Sequence, residues 1–476
     1  MTGKTTHSRR PAMNKTIVRF YRGTHGMGIC ISVTYDKDRI IFDFGAPFTP
    51  LTQVYDGEVK PRKKNRVKDA ILLKKTPMIE GVFSKKDLQD LDLLSYEDSD
   101  LNTAVMICHL HLDHMSEIDK IAPQIPVYIH SDGIKLQKLL YTVNKEKEYR
   151  NYTPFEYHVP FHVGQIKITP YYSDHPCPGS SGFLIETPDS RIYYSGDIRF
   201  HGTGNERAFE ELDTLKEKDI DLLIVDATTT SPSEFIHGDQ MDEILRNPSK
   251  DLIEGCISEK DIYDEICDSL IDFKGLGVFN QYERDTSMMK QIYDLENRLN
   301  RTVVFEPSMA YIFYHFTGIK TPIYWIDSID IPEYQLKMKE EFEVVSVDEI
   351  RNHPEKYLLQ NSYNNILSLT DFDGIKGKYF HLFGEPLVKG QKQWKIMENV
   401  LEKLNWQFTS FSNLYSFSHA YPNQLAYFIQ QIDPKTVVAV HSKNPERLNP
   451  VNSTQVFPEE NEDYLLSEGK LIKADQ

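Results

Sequence analysis

The sequence lacks the features that mark membrane, disulfide-rich and simple nucleic-acid-binding proteins. No stretch of its 476 residues approaches the roughly 18 consecutive apolar residues that a membrane-spanning helix needs. Its five cysteines include no CxxC pair, which argues against a disulfide framework or a thiolate zinc site and indicates a reducing, cytoplasmic environment. The formal net charge of -17 excludes binding to nucleic acid through overall basic charge, although a local groove with metal ions can still attract phosphate.

Strands and helices alternate along the chain, which predicts a layered α/β protein with more than one domain. Residues 1–15 are polar and basic without the apolar centre of a secretory signal, so we expect a loose N-terminal tail. Residues 16–230 form a first unit, in which the polar segment 50–100 predicts an insertion or mobile cover. Amphipathic helices and strands over 231–405 predict a separate α/β domain of parallel type, and 406–476 return to the pattern of the first unit.

A cluster of potential metal ligands follows the apolar strand TAVMICHLH. Alternate residues of an extended segment share a face, so His109, His111 and Asp113 point the same way at the strand end. His114 follows where the chain turns into a helix. Imidazole and carboxylate are ligands that zinc, manganese and iron accept, so the cluster predicts a metal-dependent hydrolase without defining its substrate.

Three more residues lie near strand ends: Asp43 in IIFDFG, His175 in SDHP and Asp197 in YYSGD. With the H-x-H-x-D-H string they stand in the order of the motifs of the metallo-β-lactamase fold, which the chain resembles. Each of them alone is common in loops and turns, so only the ordered set carries the resemblance.

The later part of the chain is similar to the β-CASP nucleases, such as RNase J, in which a further domain is inserted after the Asp197-type motif. Their three additional motifs resemble Asp226 in LLIVDATTT, His419 in SFSHA and His441 in VVAVHSKNPERL. The resemblance runs from about residue 18 to 450. It implies a metallo-β-lactamase αββα sandwich with an inserted α/β (β-CASP) domain.

The resemblance also implies two divalent metal ions, with zinc the best fit and manganese an alternative. One metal would be held by His109, His111 and His175, the other by Asp113, His114 and His441, with Asp197 as the bridge. Asp43 and Asp226 would orient ligands through hydrogen bonds. The catalytic residues would be Asp197, Asp113 and His419. A metal-bound hydroxide would attack phosphorus, while His419 protonates the leaving oxygen or grips the phosphate.

The inserted domain departs from the RNase J pattern. In RNase J, a Gly- and Ser-rich strand end and serine loops receive the RNA 5′ phosphate, whereas here Glu306, Asp371 and Asp373 occupy the corresponding segments. Phe417 also replaces the usual serine beside His419. A 5′-monophosphate-dependent exonuclease therefore does not follow. The remaining candidate substrate contacts are Asn280, Arg284, Ser308, Ser416 and Ser418.

The sequence thus predicts an enzyme: a two-metal phosphodiester hydrolase, foremost a ribonuclease acting on RNA or single-stranded nucleic acid and not on a membrane. One alternative is a metallo-β-lactamase-fold hydrolase of a small phosphodiester, thioester or lactone. Another is a partner-dependent nuclease component of a defence system. The choices between RNA and DNA and between exo and endo cleavage stay open, as do the oligomeric state and the role of residues 50–100.

Overall fold

A computed structural model describes most of the chain. The described residues are 14–47, 59–143, 150–231, 238–254, 256–326, 331–387, 389–411 and 418–474. Most of the expected N-terminal tail (1–13), the first part of the 50–100 segment (50–58) and Ser416 lie outside these ranges. Within them, no helix combines the length and apolar character that crossing a membrane requires.

The secondary structure falls into three stretches. The first contains β1 (Thr16–Arg22), β2 (Cys30–Tyr35), β3 (Asp38–Phe42), α1 (Arg66–Leu72), α2 (Lys85–Leu88), β4 (Asn102–Met106), α3 (Leu112–Met115), β5 (Val127–His130), α4 (Ser131–Thr142), β6 (Thr153–Phe155), β7 (Phe161–Val163), β8 (Ile166–Tyr172), β9 (Ser181–Glu186), β10 (Arg191–Tyr194), α5 (Asn205–Leu215) and β11 (Leu222–Asp226). The second contains α6 (Gly238–Leu245), α7 (Glu259–Leu270), β12 (Leu276–Gln281), α8 (Thr286–Leu299), β13 (Thr302–Val304), α9 (Pro307–Thr317), β14 (Ile323–Tyr324), α10 (Glu333–Glu341), β15 (Val344–Val345), α11 (Val347–Asn352), β16 (Tyr357–Gln360), β17 (Gly377–Leu382), α12 (Lys392–Lys403) and β18 (Gln407–Ser410). The third contains α13 (Pro422–Ile432), β19 (Thr436–Val440), β20 (Thr454–Gln455), β21 (Asp463–Ser467) and β22 (Lys470–Lys473).

Two mixed sheets from the first and third stretches face each other. The first has the strand order β22-β21-β1-β2-β3-β4-β5-β6, and the second has the order β20-β19-β11-β10-β9-β8-β7. Apolar side chains from both sheets form one buried cluster between them. Helices α5 and α13 cover the outer face of the second sheet, while α1 and α4 cover the outer face of the first. The expected αββα sandwich is therefore confirmed.

Strand β4 shows how the sequence builds this layering. Ala104 and Met106 pack between the two sheets, whereas Val105 joins the cluster on the outer face of the first sheet. Since successive side chains of a strand point to opposite faces, an apolar strand buried on both sides supplies two cores at once. The same alternation carries on into the ligand cluster that follows β4.

The second stretch forms a separate five-stranded parallel sheet in the order β13-β16-β12-β17-β18, together with the parallel pair β14-β15. Helices α7, α8 and α9 contribute to the buried cluster on one face, and α12 to that on the other. This stretch is an insertion in the second sheet, because β11 and β19, which flank it in sequence, are adjacent parallel partners. Parallel strands joined by helices are the pattern expected for the inserted α/β domain.

The described part of the 50–100 segment is packed against the sandwich. Val67, Ile79 and Phe83 are buried in the cluster that also holds Leu110 and Met115 of the motif region. The polar composition of this segment predicted a cover, but its few apolar residues are spaced so that they reach the outer face of the first sheet. Residues 59–100 therefore form an additional layer of the fold.

Candidate metal centre

The candidate ligands lie at one edge of the sandwich, where strands of both sheets end. In the first sheet β3 runs parallel to β4, and in the second sheet β11 runs parallel to β10 and β19. The residues that follow parallel strands emerge at the same edge of a sheet. The residues placed there are Asp43 after β3, His109 to His114 after β4, His175 after β8, Asp197 after β10, Asp226 at the end of β11 and His441 after β19.

The backbone is strained at two of these strand ends. Asp43 has a φ of 59° and His441 a φ of 64°, values in the left-handed region that side chains other than glycine rarely adopt. Such a conformation costs on the order of 1–3 kcal/mol and persists only where its surroundings stabilise it. In both residues the turn follows directly after the strand and directs a chemically active side chain into the edge.

The first ligand group consists of His109, His111, His175 and Asp197, each of which has a donor atom within 4.8 Å of those of the others. His111 Nδ1 and His175 Nε2 are 3.0 Å apart. Their opposite ring nitrogens are engaged elsewhere: His111 Nε2 donates to Asp285 Oδ1 at 2.8 Å, and His175 Nδ1 donates to the Ser418 carbonyl at 2.9 Å. With neutral rings, two lone pairs therefore face each other, an arrangement that a shared cation stabilises.

The second group consists of Asp113, His114 and His441. His441 Nε2 lies 2.9 Å from Asp113 Oδ2, and its Nδ1 lies 2.6 Å from Thr228 Oγ1, a hydroxyl that itself donates to Asp226. The hydroxyl accepts the Nδ1 proton, so Nε2 faces the Asp113 carboxylate. Burial opposes charge on His441, but Asp197 and Asp113 outweigh it and raise the pKa of His441. The carboxylates therefore favour a positive charge at Nε2, which a proton or a bound cation supplies.

Asp197 lies within reach of both groups. Its Oδ2 is 3.7 Å from His109 Nε2 and 3.3 Å from His114 Nε2. Both imidazole nitrogens are buried and have no hydrogen-bond partner among the described residues. Buried polar atoms without partners are rare and costly, so these two point to a ligand. Imidazole and carboxylate donors without a thiolate fit zinc, and manganese second.

The pKa shifts of the histidines differ between the two ligand groups. Burial, followed by the neighbouring imidazoles, lowers the pKa of His109 and of His175 well below the usual range, which favours the neutral form that binds metal. Burial opposes charge on His114, but Asp197 and the other acidic neighbours outweigh it and raise the pKa of His114. The carboxylates of the centre thus favour a positive charge beside them.

Asp43 and Asp226 support the centre through hydrogen bonds. Asp43 Oδ2 lies 3.0 Å from His114 Nδ1 and accepts from the Tyr194 hydroxyl at 2.6 Å, while its Oδ1 accepts from the Cys108 backbone N–H. Burial raises the pKa of the Cys108 thiol well above its usual range, so this cysteine stays protonated beside the centre. Cys108 also lies within ligand distance of His109 and His114, and sequence reasoning missed both Cys108 and Tyr194.

His419 lies beside the second group. Its Nδ1 is 2.7 Å from Asp226 Oδ2, and 13% of its side chain is exposed, compared with 1% for His441. Burial opposes the charged imidazolium, but Asp226 and Asp197 outweigh it and raise the pKa of His419 to about 9. Thr228, which contacts both Asp226 and His441, was missed from the sequence, although it stands two residues after Asp226 in the polar run TTT.

The expected substrate contacts receive less support. Asn280 and Arg284 are buried, and their side chains donate to the backbone carbonyls of Glu385 and Leu110. These hydrogen bonds give both side chains a structural role, and their contact with a substrate stays a prediction. Ser308 is half-buried in the first turn of α9, and Ser418 contacts His175 through its carbonyl, so these two also stay predicted contacts.

Two of the acidic residues in the inserted domain, Glu306 and Asp371, accept hydrogen bonds from neighbouring side chains and backbone. The Glu306 carboxylate accepts from the Ser362 backbone N–H at 2.8 Å, from the Ser362 hydroxyl at 2.7 Å and from the Asn365 amide at 2.7 Å. Asp371 accepts from the Tyr324 hydroxyl at 2.9 Å. Donors that would suit a phosphate are therefore occupied by a carboxylate of the chain itself.

Comparisons with known proteins agree with this architecture. A sequence profile described as the β-lactamase superfamily domain matches residues 93–250. Ribonuclease J of Mycoplasma genitalium is 20% identical over 368 residues, which cover 71% of this chain and 57% of that protein. Ribonuclease J of Pyrococcus abyssi is 27% identical over 201 residues, which cover 38% and 44%. The chain thus spans about half the length of the curated relatives it matches.

A solved structure covers more of the chain. A protein of unknown function from Enterococcus faecalis V583 aligns with a TM-score of 0.75 and 25% identity. The alignment covers 95% of this chain and 100% of that one, so the sandwich and the inserted domain occur together in another protein.

Proposed function

We propose that this chain, which has the metallo-β-lactamase fold and resembles the ribonucleases J, is a two-metal phosphodiester hydrolase acting on RNA or single-stranded nucleic acid. The observation that carries the proposal is the pairing of two ligand groups, both within reach of Asp197, with His419 held beside them by Asp226. A two-metal centre can activate water for attack on phosphorus, and a separate protonated side chain can donate a proton to the leaving alkoxide.

The metal ions would lower the pKa of a shared water and neutralise charge that gathers on the phosphoryl oxygens. The protein's part is to hold the ligands in one protonation state. Asp43 fixes the ring of His114, Thr228 fixes that of His441, and the Ser418 carbonyl fixes that of His175. Each partner accepts the proton of one ring nitrogen, so the other nitrogen faces the centre.

His419 would supply the proton to the leaving oxygen. Asp226 engages its Nδ1, so Nε2 is the ring atom that remains for the substrate. The Asp226 carboxylate favours the protonated ring, and the partial exposure of the side chain allows contact with a substrate. This division of labour separates the nucleophile side, at the metals, from the leaving-group side, at His419.

The inserted domain gives no support for dependence on a 5′ monophosphate. The amide and hydroxyl donors around Glu306 already bind that carboxylate, and a second anion there would meet like charge. We therefore propose hydrolysis that does not require a 5′-phosphate end.

The test uses the zinc-loaded and manganese-loaded protein with 3′-labelled single-stranded RNA, the equivalent DNA and bis(p-nitrophenyl) phosphate. Each RNA is supplied with a 5′ phosphate and with a 5′ hydroxyl. We expect cleavage of RNA or single-stranded DNA that needs metal and is similar for both 5′ ends. Hydrolysis of the small diester with neither polymer cleaved would overturn the assignment of substrate and favour a small-molecule hydrolase.

A further inference from the structure

The loop between β12 and α8 reaches from the inserted domain into the first ligand group. Asp285 ends this loop, is only 4% exposed, and places Oδ1 2.8 Å from His111 Nε2. Aspartate at the residue before a helix usually caps the helix with its side chain. Asp285 makes no such cap hydrogen bond with α8, so its carboxylate serves His111 instead.

The same loop also holds the backbone next to His111. Arg284 Nη1 donates to the Leu110 carbonyl at 2.8 Å, and the Tyr282 ring lies 5.6 Å from the His111 ring. Gln281 at the end of β12 donates its side-chain amide to the Asp285 carbonyl at 3.0 Å. The position of His111 is thus determined from three sides by a segment 174 residues away in sequence.

A second connection from the inserted domain reaches the other loop of this ligand group. Glu259, in the first turn of α7, lies 2.9 Å from Arg199 Nη2. Arg199 Nε lies 3.4 Å from Asp174 Oδ1, and its backbone N–H donates to the Asp174 carbonyl, directly before His175. Both side chains that pair with Arg199 are buried, so this ion-pair network is shielded from solvent.

The second ligand group is oriented from the sandwich. Among the described residues, Asp43 and Thr228 contact the rings of His114 and His441, Tyr194 and Asp226 support those two residues, and all four precede the inserted domain. The two metal positions therefore differ in what supports them. One is held jointly by the sandwich and the inserted domain, and the other by the sandwich.

We propose that Asp285 is a positioning residue through which the inserted domain sets the metal affinity of the His109–His111–His175 position, leaving the Asp113–His114–His441 position unaffected. The inference rests on the metal centre proposed above. By accepting the Nε2 proton of His111, Asp285 keeps Nδ1 unprotonated and directed at His175. A carboxylate in that role fixes the tautomer and the orientation of the imidazole, and its loss typically weakens metal binding about 10–100-fold.

The test measures zinc stoichiometry and affinity of the full chain by equilibrium dialysis against buffered zinc, and the unfolding temperature of the metal-free protein. The variants are Asp285→Ala and Asp285→Asn. The control is Asp294→Ala, an exposed carboxylate of the same helix that pairs only with Lys290 among the interactions seen for it. We expect Asp285→Ala to retain one tight zinc while the other binds about 10–100-fold more weakly. Asp285→Asn should lie between, because the amide oxygen still accepts a hydrogen bond but carries no charge.

Each outcome bears on one proposal. Two zinc ions bound by Asp285→Ala as tightly as by Asp294→Ala would overturn the role of Asp285. Equal weakening of both positions, or a lower unfolding temperature of metal-free Asp285→Ala and Asp285→Asn, would also overturn it, since Asp285 would then be merely structural. A wild-type chain that binds fewer than two zinc ions would instead contradict the two-metal centre itself.

Discussion

Asp226 connects the two histidines that serve different sides of the proposed reaction. Its Oδ2 faces His419 at 2.7 Å, and its Oδ1 accepts from Thr228, whose hydroxyl contacts His441. One carboxylate therefore orients a candidate metal ligand and the proposed proton donor at once. A change at Asp226 would disturb both, so His419 is the residue that separates the proton-transfer step from metal binding.

We expect His419→Ala to retain two metal ions but to lose on the order of a hundredfold or more in the rate of phosphodiester cleavage. The reason is that His419 lies outside both ligand groups yet is held protonated beside them by Asp226. Metal analysis and a cleavage assay on the same preparation check this, with His162→Ala, an exposed histidine of β7, as the control. Full activity of His419→Ala would sink the assigned role.

At the scale of the elements, the turn after β3 holds the ligand helix α3 at close range. A Cβ on Gly45 would come within 1.5 Å of the Asp113 carbonyl oxygen, and the Phe44 backbone N–H donates to the His114 carbonyl at 2.6 Å. Only glycine allows this approach, because the atom in the way belongs to backbone that cannot rotate aside.

Gly45→Ala should therefore displace Asp113 and His114, destabilise the fold by about 3 kcal/mol and reduce the metal content of the second ligand group. Thermal unfolding and zinc analysis measure the two effects. An alanine variant with unchanged unfolding and two tightly bound zinc ions would show that the backbone can give way at this contact.

Strand β17 of the inserted domain ends with a buried histidine. Burial lowers the pKa of His381 from 6.5 to about 4, so the folded state holds the ring neutral. As the pH falls below 6.5, the unfolded chain takes up a proton that the folded chain does not, and stability decreases until the pH reaches about 4.

From about pH 7.5 to about pH 5, this histidine alone should lower the free energy of unfolding by about 2 kcal/mol. Over the same pH range, the free energy of unfolding of His381→Gln should therefore fall by about 2 kcal/mol less than that of the wild type. Urea unfolding at both pH values tests this, with the exposed His353→Gln as the control. An equal loss in His381→Gln and the wild type would contradict the assignment.

At the scale of the whole molecule, Arg199 joins the sandwich to the inserted domain. It is fully buried between Asp174 of the sandwich and Glu259 of α7. Buried ion pairs contribute little beyond an apolar replacement, but removing one partner leaves a buried charge without compensation.

Arg199→Ala should destabilise the protein by about 3–5 kcal/mol, because two buried carboxylates lose their common partner. The exposed pair of Lys337 with Glu333 provides the comparison, and Lys337→Ala should leave stability nearly unchanged. Chemical unfolding of both variants decides the matter, and a similar small effect in both would mean that solvent reaches Arg199 and its partners.

Much of this architecture was available from local patterns. The alternation in TAVMICHLH placed His109 and His111 on one face, and the order of the later motifs indicated the sandwich and the insertion, which the structure confirms as a fold class. The same reasoning assigned substrate contacts to Asn280 and Arg284, whose side chains are buried against backbone carbonyls. Composition does not show whether a polar residue of a loop faces solvent or the interior.

The sequence by itself indicated the candidate ligands: period-two alternation placed His109, His111 and Asp113 on one face, and the resemblance to the metallo-β-lactamase fold implied the others. Only the tertiary structure decided what supports them. Asp285 and His111 are separated by 174 positions, and Arg199 and Glu259 by 60, so no local pattern pairs them. Their contacts arise where the packing of the inserted domain against the sandwich brings these loops together. That packing is set by the whole apolar surface of both parts, which no short segment of the sequence contains.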